Sequence, residues 1–274
     1  MFRGRRKNAA VVAGASVLVA ISSLAIVPLA AGAQATDVGT MTTVTVSPPS
    51  TRTGAAVSIV ARVHPVTTDA TVITGTVTFT ITGHNSSTVN CHVSDTVTVK
   101  HGKATCKVPV EELQAEASPY SIAGTYSGDS PNYTGSSGTA SETVIAANVQ
   151  MKLKASPKVS NGSGNTFIAT LKSGAAGSLL AGNVRFGVTS PYPTRPRWLT
   201  CGATQTSTGS DIRPVAVSGN VGTATCVLHA GWFTVPPPTH TEKHGTATYG
   251  VTAVYLGNGN FNSKQKTKSG TLTS

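Results

Sequence analysis

One stretch of the sequence occurs twice and constrains the fold of the whole chain. Residues 120–133 read YSIAGTYSGDSPNY, and residues 249–261 read YGVTAVYLGNGNF. In both copies alternate residues are aromatic or apolar, which is the period-two pattern of a strand with one buried face. A Gly-Asp or Gly-Asn pair then predicts a turn at the end of each strand. We therefore expect two copies of one β unit.

The first 35 residues are set apart from this fold. Basic residues at positions 3–7 precede an apolar run from Ala9 to Ala31, and Ala33-Gln34-Ala35 offers a small-residue cleavage site. Residues 1–35 are thus predicted to be a signal peptide. The alternative is an uncleaved membrane anchor, because the run is long enough to cross a bilayer. We expect a secreted or cell-surface protein that is membrane-bound only if this segment is retained.

The four cysteines predict disulfides, because an exported protein meets an oxidising environment. Cys91 and Cys106 fall in the first copy, and Cys201 and Cys226 fall in the second. Of the three possible pairings we expect one bridge within each copy. A zinc site is not expected, since no two cysteines have the Cys-x2-Cys spacing of metal knuckles.

Charge is distributed unevenly between the copies. Residues 36–146 carry 5 basic and 8 acidic residues, whereas residues 147–274 carry 12 basic and 2 acidic residues. A basic surface attracts anionic partners such as an acidic wall polymer, a lipid surface or nucleic acid. The alternative is a surface kept soluble by like charge.

The remaining strands follow the same alternation. Gly75–Ile81 of the first copy matches Gly182–Val188 of the second, and Thr96–Val99 with Lys103–Val108 predicts a hairpin around Gly102. Residues 111–117 are expected to form at most one helical turn. The second copy has three additional segments, at Pro191–Trp198, Gly202–Ser218 and Trp232–His244, and Gly202–Ser218 is expected to be a long loop between strands.

The order of an opening strand, Gly-x-Val-x-Phe, Gly-x-Ala-x-Cys and Tyr-Ser-Gly-Asp resembles the immunoglobulin-like repeat domains of exported bacterial surface proteins. The first copy carries Tyr126-Ser127-Gly128-Asp129, and the second departs from it with Tyr255-Leu256-Gly257-Asn258. The resemblance implies an all-β fold of two tandem immunoglobulin-like β-sandwiches. Their expected boundaries are residues 36–146 and 147–274. Cysteines are not a general part of this pattern.

Candidate ligand-binding residues lie in the added segments of the second copy. Exposed aromatic side chains next to cations can stack on sugar rings or bases and hold anionic groups. The candidates are Tyr192, Arg195, Arg197, Trp198, Trp232 and Lys243. Alternatively, the two tryptophans fill the core. Asp129 is a weak candidate calcium ligand, and a turn-stabilising role is the alternative.

These features favour a binding protein. The acidic residues are scattered, and no metalloprotease, phosphate-loop or nucleophile-elbow motif is present. We expect no catalytic residues, metal or cofactor. The expected role is adhesion to a polysaccharide or protein at the cell envelope, with nucleic acid an unlikely partner. A passive spacer is the first alternative, and a hydrolase or inhibitor built on the added segments is the second.

Overall fold

A computed structural model describes residues 37–68, 72–155, 159, 162–174, 179–189, 198–202, 210–231 and 246–273. Within these ranges the regular structure is β-strand, apart from one turn of 3-10 helix at Ala115–Ala117. The expected all-β fold is therefore confirmed. No helix in the described ranges has the length and apolarity needed to span a membrane. The predicted signal segment lies outside them.

Two sheets form the first half of the described chain, residues 37–146. One has the strand order β1-β3-β7, and the other has the order β2-β9-β8-β4-β5, with β6 also paired to β4. Neighbouring strands are antiparallel except β2 and β9. The strands are β1 Thr40–Ser47, β2 Ser50–Arg52, β3 Val57–Pro65, β4 Thr76–Gly83, β5 Thr88–Val89, β6 Thr96–Thr98, β7 Lys103–Val108, β8 Tyr120–Tyr126 and β9 Ser136–Ile145.

Two further sheets form the second half, residues 147–273. One has the order β10-β11-β16-β15, and the other has the order β13-β12-β17-β18, with β14 also paired to β12. The strands are β10 Gln150–Ala155, β11 Asn165–Lys172, β12 Asn183–Thr189, β13 Trp198–Leu199, β14 Ile212–Pro214, β15 Ala216–Ser218, β16 Val221–Leu228, β17 Thr246–Tyr255 and β18 Lys264–Thr273.

Each half encloses a hydrophobic core of its own between its two sheets. In β4, Val77, Phe79 and Ile81 are buried while the threonines between them point outward, as the alternation predicts. In the second half, Phe167 of β11 lies 6.4 Å from Tyr249 of β17, measured between ring centroids. The contacts group residues 36–274 into one compact unit.

The repeated stretch holds the same corner in both halves. The buried Tyr126 hydroxyl donates a hydrogen bond to the Thr74 carbonyl at 2.7 Å, and the Tyr255 hydroxyl donates one to the Ala181 carbonyl at 2.9 Å. Each carbonyl belongs to the residue directly before a glycine of positive φ. These glycines, Gly75 and Gly182, lie immediately before β4 and β12. The tyrosine thus fixes where β4 and β12 enter their sheets.

The turn that follows the repeated strand strengthens this corner. Asp129 accepts a hydrogen bond from the Thr74 hydroxyl through its carboxylate. Asn258 occupies the equivalent position and donates hydrogen bonds to the carbonyls of Leu179 and Ala181, at 3.0 and 2.9 Å. Asp129 and Asn258 therefore hold equivalent loops of the two halves by hydrogen bonds. Asp129 is the acceptor in one, and Asn258 is the donor in the other.

The disulfides join Cys91 to Cys106 and Cys201 to Cys226, which is the expected pairing. All four cysteines are buried. A disulfide that closes a loop of this length stabilises the folded state by about 3 kcal/mol in the chain-entropy estimate, because it restricts the unfolded chain.

Two predictions about local structure are wrong. β6 and β7 do not form a hairpin: a turn at residues 100–103 forms as expected, but β6 then pairs with β4 and β7 pairs with β3 in the opposite sheet. Gly202–Ser218 is not simply a loop, because it contains β14 and β15. β6 and β7 separate because each pairs with a strand that is distant in sequence, whereas β15 forms a local hairpin with β16.

A polar cluster joins the two halves. The side chain of Asn260 is buried, and its carbonyl oxygen accepts hydrogen bonds from the Glu116 backbone at 3.4 Å and from the Thr53 hydroxyl at 3.5 Å. Its amide nitrogen donates to the Gln114 side chain at 3.3 Å. The connection between the halves is therefore hydrogen-bonded.

Replacing either corner tyrosine by phenylalanine tests the shared anchor. Tyr126→Phe and Tyr255→Phe each remove one hydroxyl and its hydrogen bond to the Thr74 or Ala181 carbonyl, so each should lower the free energy of unfolding by about 0.5–1.5 kcal/mol. Urea denaturation of the full chain measures the change. Thr80→Val, which removes an exposed hydroxyl from β4, is the control and should change the free energy of unfolding by less than about 0.5 kcal/mol. No loss in both corner variants would contradict the anchor.

Candidate functional site

Most of the six candidate ligand-binding residues lie outside the described residues. These are Tyr192, Arg195, Arg197, Trp232 and Lys243. Trp198 is described only in its backbone, where β13 pairs with Val188 and Thr189 of β12. The expected aromatic and cationic cluster therefore stays a prediction.

The described flanks of the added segment between β13 and β14 are held firmly. β13 and β14 both pair with β12, one near each end of that strand. Cys201 is tied to β16 by its disulfide. The Arg213 guanidinium donates a hydrogen bond to the Cys201 carbonyl at 2.6 Å. Strand pairing and the disulfide therefore hold the two described ends of this segment, Gly202 and Ser210. Residues 203–209 lie outside the described ranges.

An open groove of about 350 Å³ lies beside β13 and β14, on the outer face of β12 and β17. Gly187, Thr252 and Val254 form part of its floor, and Thr200 and Asp211 border it. Arg185 also lines the groove, and it forms an ion pair with Asp211, with 3.5 Å between Nε and Oδ2. Both side chains are about half exposed, so the pair contributes little stability. The groove thus presents one largely neutralised guanidinium.

The first half has no arginine at the equivalent position. Thr78 of β4 corresponds to Arg185, and its hydroxyl lies 3.0 Å from the Thr96 hydroxyl on β6. Thr80 corresponds to Gly187, where the second half has no side chain. The two halves share strand pairing at this point but differ in charge and depth.

Asp129 is placed in a turn. Its backbone oxygen accepts hydrogen bonds from Asn132 and Tyr133 at 2.7 and 3.0 Å, and its carboxylate accepts from Thr74. Among the described residues, no three His, Cys, Asp or Glu side chains come together as a metal site would require. These contacts hold the turn, but the carboxylate accepts its bond from the Thr74 hydroxyl and not from backbone N–H groups, as the turn-stabilising alternative expected.

A buried carboxylate was missed from the sequence. Glu142 of β9 is fully buried on the core side of its sheet, opposite Tyr120 of β8. Neither of its carboxyl oxygens has a hydrogen-bond partner in the part of the chain that the structure describes. Burial raises the pKa of Glu142 to about 7. The alternation of β9 could have revealed it, since Glu142 shares a face with Ala140 and Val144.

A second buried oxygen atom without a described partner lies near Glu142, across strands β8 and β4. Tyr120 is flanked by Glu142 on one side and by Gly83 of β4 on the other. The Ser87 hydroxyl lies over Gly83, is buried, and has no partner among the described residues. The Tyr120 hydroxyl is already engaged with the Gln114 backbone at 2.8 and 3.1 Å. No cation in this row stabilises the ionised form of Glu142.

Comparisons with known proteins give little guidance. No protein-family model matches the chain, and no curated protein matches it. Among solved structures it is similar to the adhesin InvE of Yersinia pseudotuberculosis, with 14% identity and a TM-score of 0.41, covering 83% of this chain and 58% of that one. A DUF4785 family protein of Legionella pneumophila gives 12% identity and a TM-score of 0.31, with coverages of 83% and 54%. The chain thus spans little more than half of either protein, and similarity this low supports no conclusion about function.

Glu142→Gln should change the stability in a pH-dependent way. The folded-state pKa of about 7 lies above the ordinary value of 4.5, so the folded state holds the proton more tightly, and stability falls as the pH rises from about 4.5 to beyond 7. The glutamine variant should be more stable than the wild type by roughly 2–3 kcal/mol at pH 8 and nearly equal to it at pH 4.

Urea denaturation of the full chain between pH 4 and 8 measures this difference. Glu112→Gln, which removes one negative charge at an exposed position, is the control. A difference between Glu142→Gln and wild type that stays constant with pH would show that Glu142 does not titrate in this range.

Proposed function

We propose that this protein is an exported, non-catalytic binding module of two tandem immunoglobulin-like sandwiches that attaches to anionic material of the cell envelope. The strand orders support the fold. In immunoglobulin lettering, β10-β11-β16-β15 reads A-B-E-D and β12-β17-β18 reads C-F-G, while the first half repeats A-B-E and C-F-G. Disulfides in both halves support an oxidising compartment.

The segregation of charge is the observation that carries the binding role. Both halves repeat one scaffold with the same corner, so the cations of the second half are not needed for the fold. The described part of the second half has one carboxylate, Asp211, and it is paired with Arg185. Its described lysines are exposed or half-buried, at positions 152, 154, 172, 264, 266 and 268. Such a surface attracts polyanions.

The envelope-binding role predicts salt-sensitive retention. The full chain should bind purified envelope material, and its affinity should fall by about tenfold or more between roughly 50 and 200 mM salt, because bound cations release counterions. Arg195→Ala/Arg197→Ala/Trp198→Ala should weaken binding further if the added segment contributes. Lys103→Ala/Lys107→Ala removes the same charge from the first half and is the control. Absence of binding at every salt concentration would contradict the role.

A passive spacer is the second candidate, and the bonded connection between the halves favours it. Asn260 contacts Thr53, Gln114 and the Glu116 backbone, all in the first half. A spacer needs such a fixed joint, since a flexible linker would let the distance between the two ends of the protein vary. A hydrolase or inhibitor is favoured by no described contact.

Asn260→Ala tests the joint. The change removes three long hydrogen bonds and should lower the melting temperature by a few degrees, equivalent to about 1 kcal/mol. Small-angle scattering of the full chain should show a broader range of maximum dimensions. Gln265→Ala, which removes an exposed amide side chain of β18, is the control. Unchanged scattering from Asn260→Ala would show that this side chain does not fix the joint.

A further inference from the structure

Three lysines of β18 lie on an unexpected face of the sheet. Directly opposed residues of an antiparallel pair share a face. Lys264, Lys266 and Lys268 oppose Tyr255, Ala253 and Val251 of β17, all of which are buried in the core. The lysines therefore project on the core side, yet Lys264 and Lys266 are exposed and Lys268 is half-buried. We call these three residues the β18 lysine row.

The first half closes the same place with small residues. Ser136, Gly138 and Ala140 of β9 occupy the positions of the row, as their pairing with β8 shows. There β1 packs closely: the Thr42 hydroxyl lies 2.7 Å from the Ser136 hydroxyl, and a Cβ on Gly138 would collide with the Thr42 carbonyl oxygen. No lysine fits in that position. The second half thus replaces a closed seam with a row of cations.

The row is regular, and no acid opposes it. Alternate residues of a strand lie about 6.7 Å apart, so the three ammonium groups start from evenly spaced positions. The neighbouring edge strand β10 also carries exposed Lys152 and Lys154, which lie on the outer face of its own sheet. Within the described chain, the one ion pair closer than 4.0 Å joins Arg185 to Asp211, so no described carboxylate neutralises the row. The arrangement suits a linear polyanion.

The side chains around the row indicate which polyanion. Lysine is a compact point charge that binds phosphate without the paired geometry that arginine offers to carboxylates. β10 and β18 contain no aromatic residue, so this edge has no platform for stacking bases or sugar rings. Recognition at this edge therefore depends on repeated charge alone.

We propose that the β18 lysine row binds a linear phosphodiester polymer without bases, of the poly(glycerol phosphate) kind, at the cell envelope. The proposal rests on the proposed function and identifies its face and its class of ligand. Lysines on an edge strand also discourage strand-to-strand aggregation. That role predicts association of the variants and no change in binding.

The test uses the full chain and three polymers matched in number of charges: poly(glycerol phosphate), oligothymidylate and alginate. Lys264→Gln/Lys266→Gln/Lys268→Gln should bind poly(glycerol phosphate) at least tenfold more weakly than wild type. The slope of log affinity against log salt should fall by about 2, since each phosphate contact contributes about 0.7. Lys100→Gln/Lys103→Gln/Lys107→Gln removes the same charge from exposed positions of the first half and should bind like wild type.

Melting curves and size-exclusion chromatography accompany each variant. A row variant that melts normally and keeps its affinity would overturn the proposal, as would one that associates while binding normally. Equal losses in both triple variants would show attraction by net charge alone and would also overturn it. Equal or tighter wild-type binding to oligothymidylate or alginate would contradict the ligand class. Envelope retention that survives loss of the row would leave the proposed function standing while this inference fails.

Discussion

The hydrogen bond from a buried tyrosine hydroxyl to the carbonyl before a glycine is the contact on which both halves depend. Tyr126 and Tyr255 each end the central strand of a sheet, and each fixes the residue from which the neighbouring strand starts. Gly75 and Gly182 have a positive φ at this point, and Tyr126 lies so close that a Cβ on Gly75 would be 3.0 Å from its ring. Burial raises the pKa of both tyrosines, which keeps the donor proton in place.

The sequence predicted the strands well because a half-buried strand needs apolar residues at every second position, and the repeat marked the strand that matters most. It predicted strand partners less well. The Lys100–Lys103 turn forms, but β6 and β7 separate into different sheets because their partners, β4 and β3, lie far away in sequence. The lysines of β18 counted only as net charge, since their face depends on their register with β17.

The two halves agree in some places and differ in others. The corner, the disulfide and the core are repeated, so each half folds by the same rules. The differences concentrate at the edge where β10 meets β18 and at the outer face of β12 and β17. Gly138 permits close packing of β1 in the first half, whereas Lys266 occupies that position in the second. The proposed binding role requires this difference in charge between two halves of similar strand order.

Hydrogen–deuterium exchange of the full chain, with and without poly(glycerol phosphate), shows whether β18 binds the polymer. We expect slower exchange in peptides from residues 262–273 and 148–155 when the polymer is present, and loss of this protection at high salt. Peptides from residues 136–145, the matching strand of the first half, should exchange at the same rate in both conditions. Protection confined to the first half, or spread evenly over both halves, would contradict a binding face on β18.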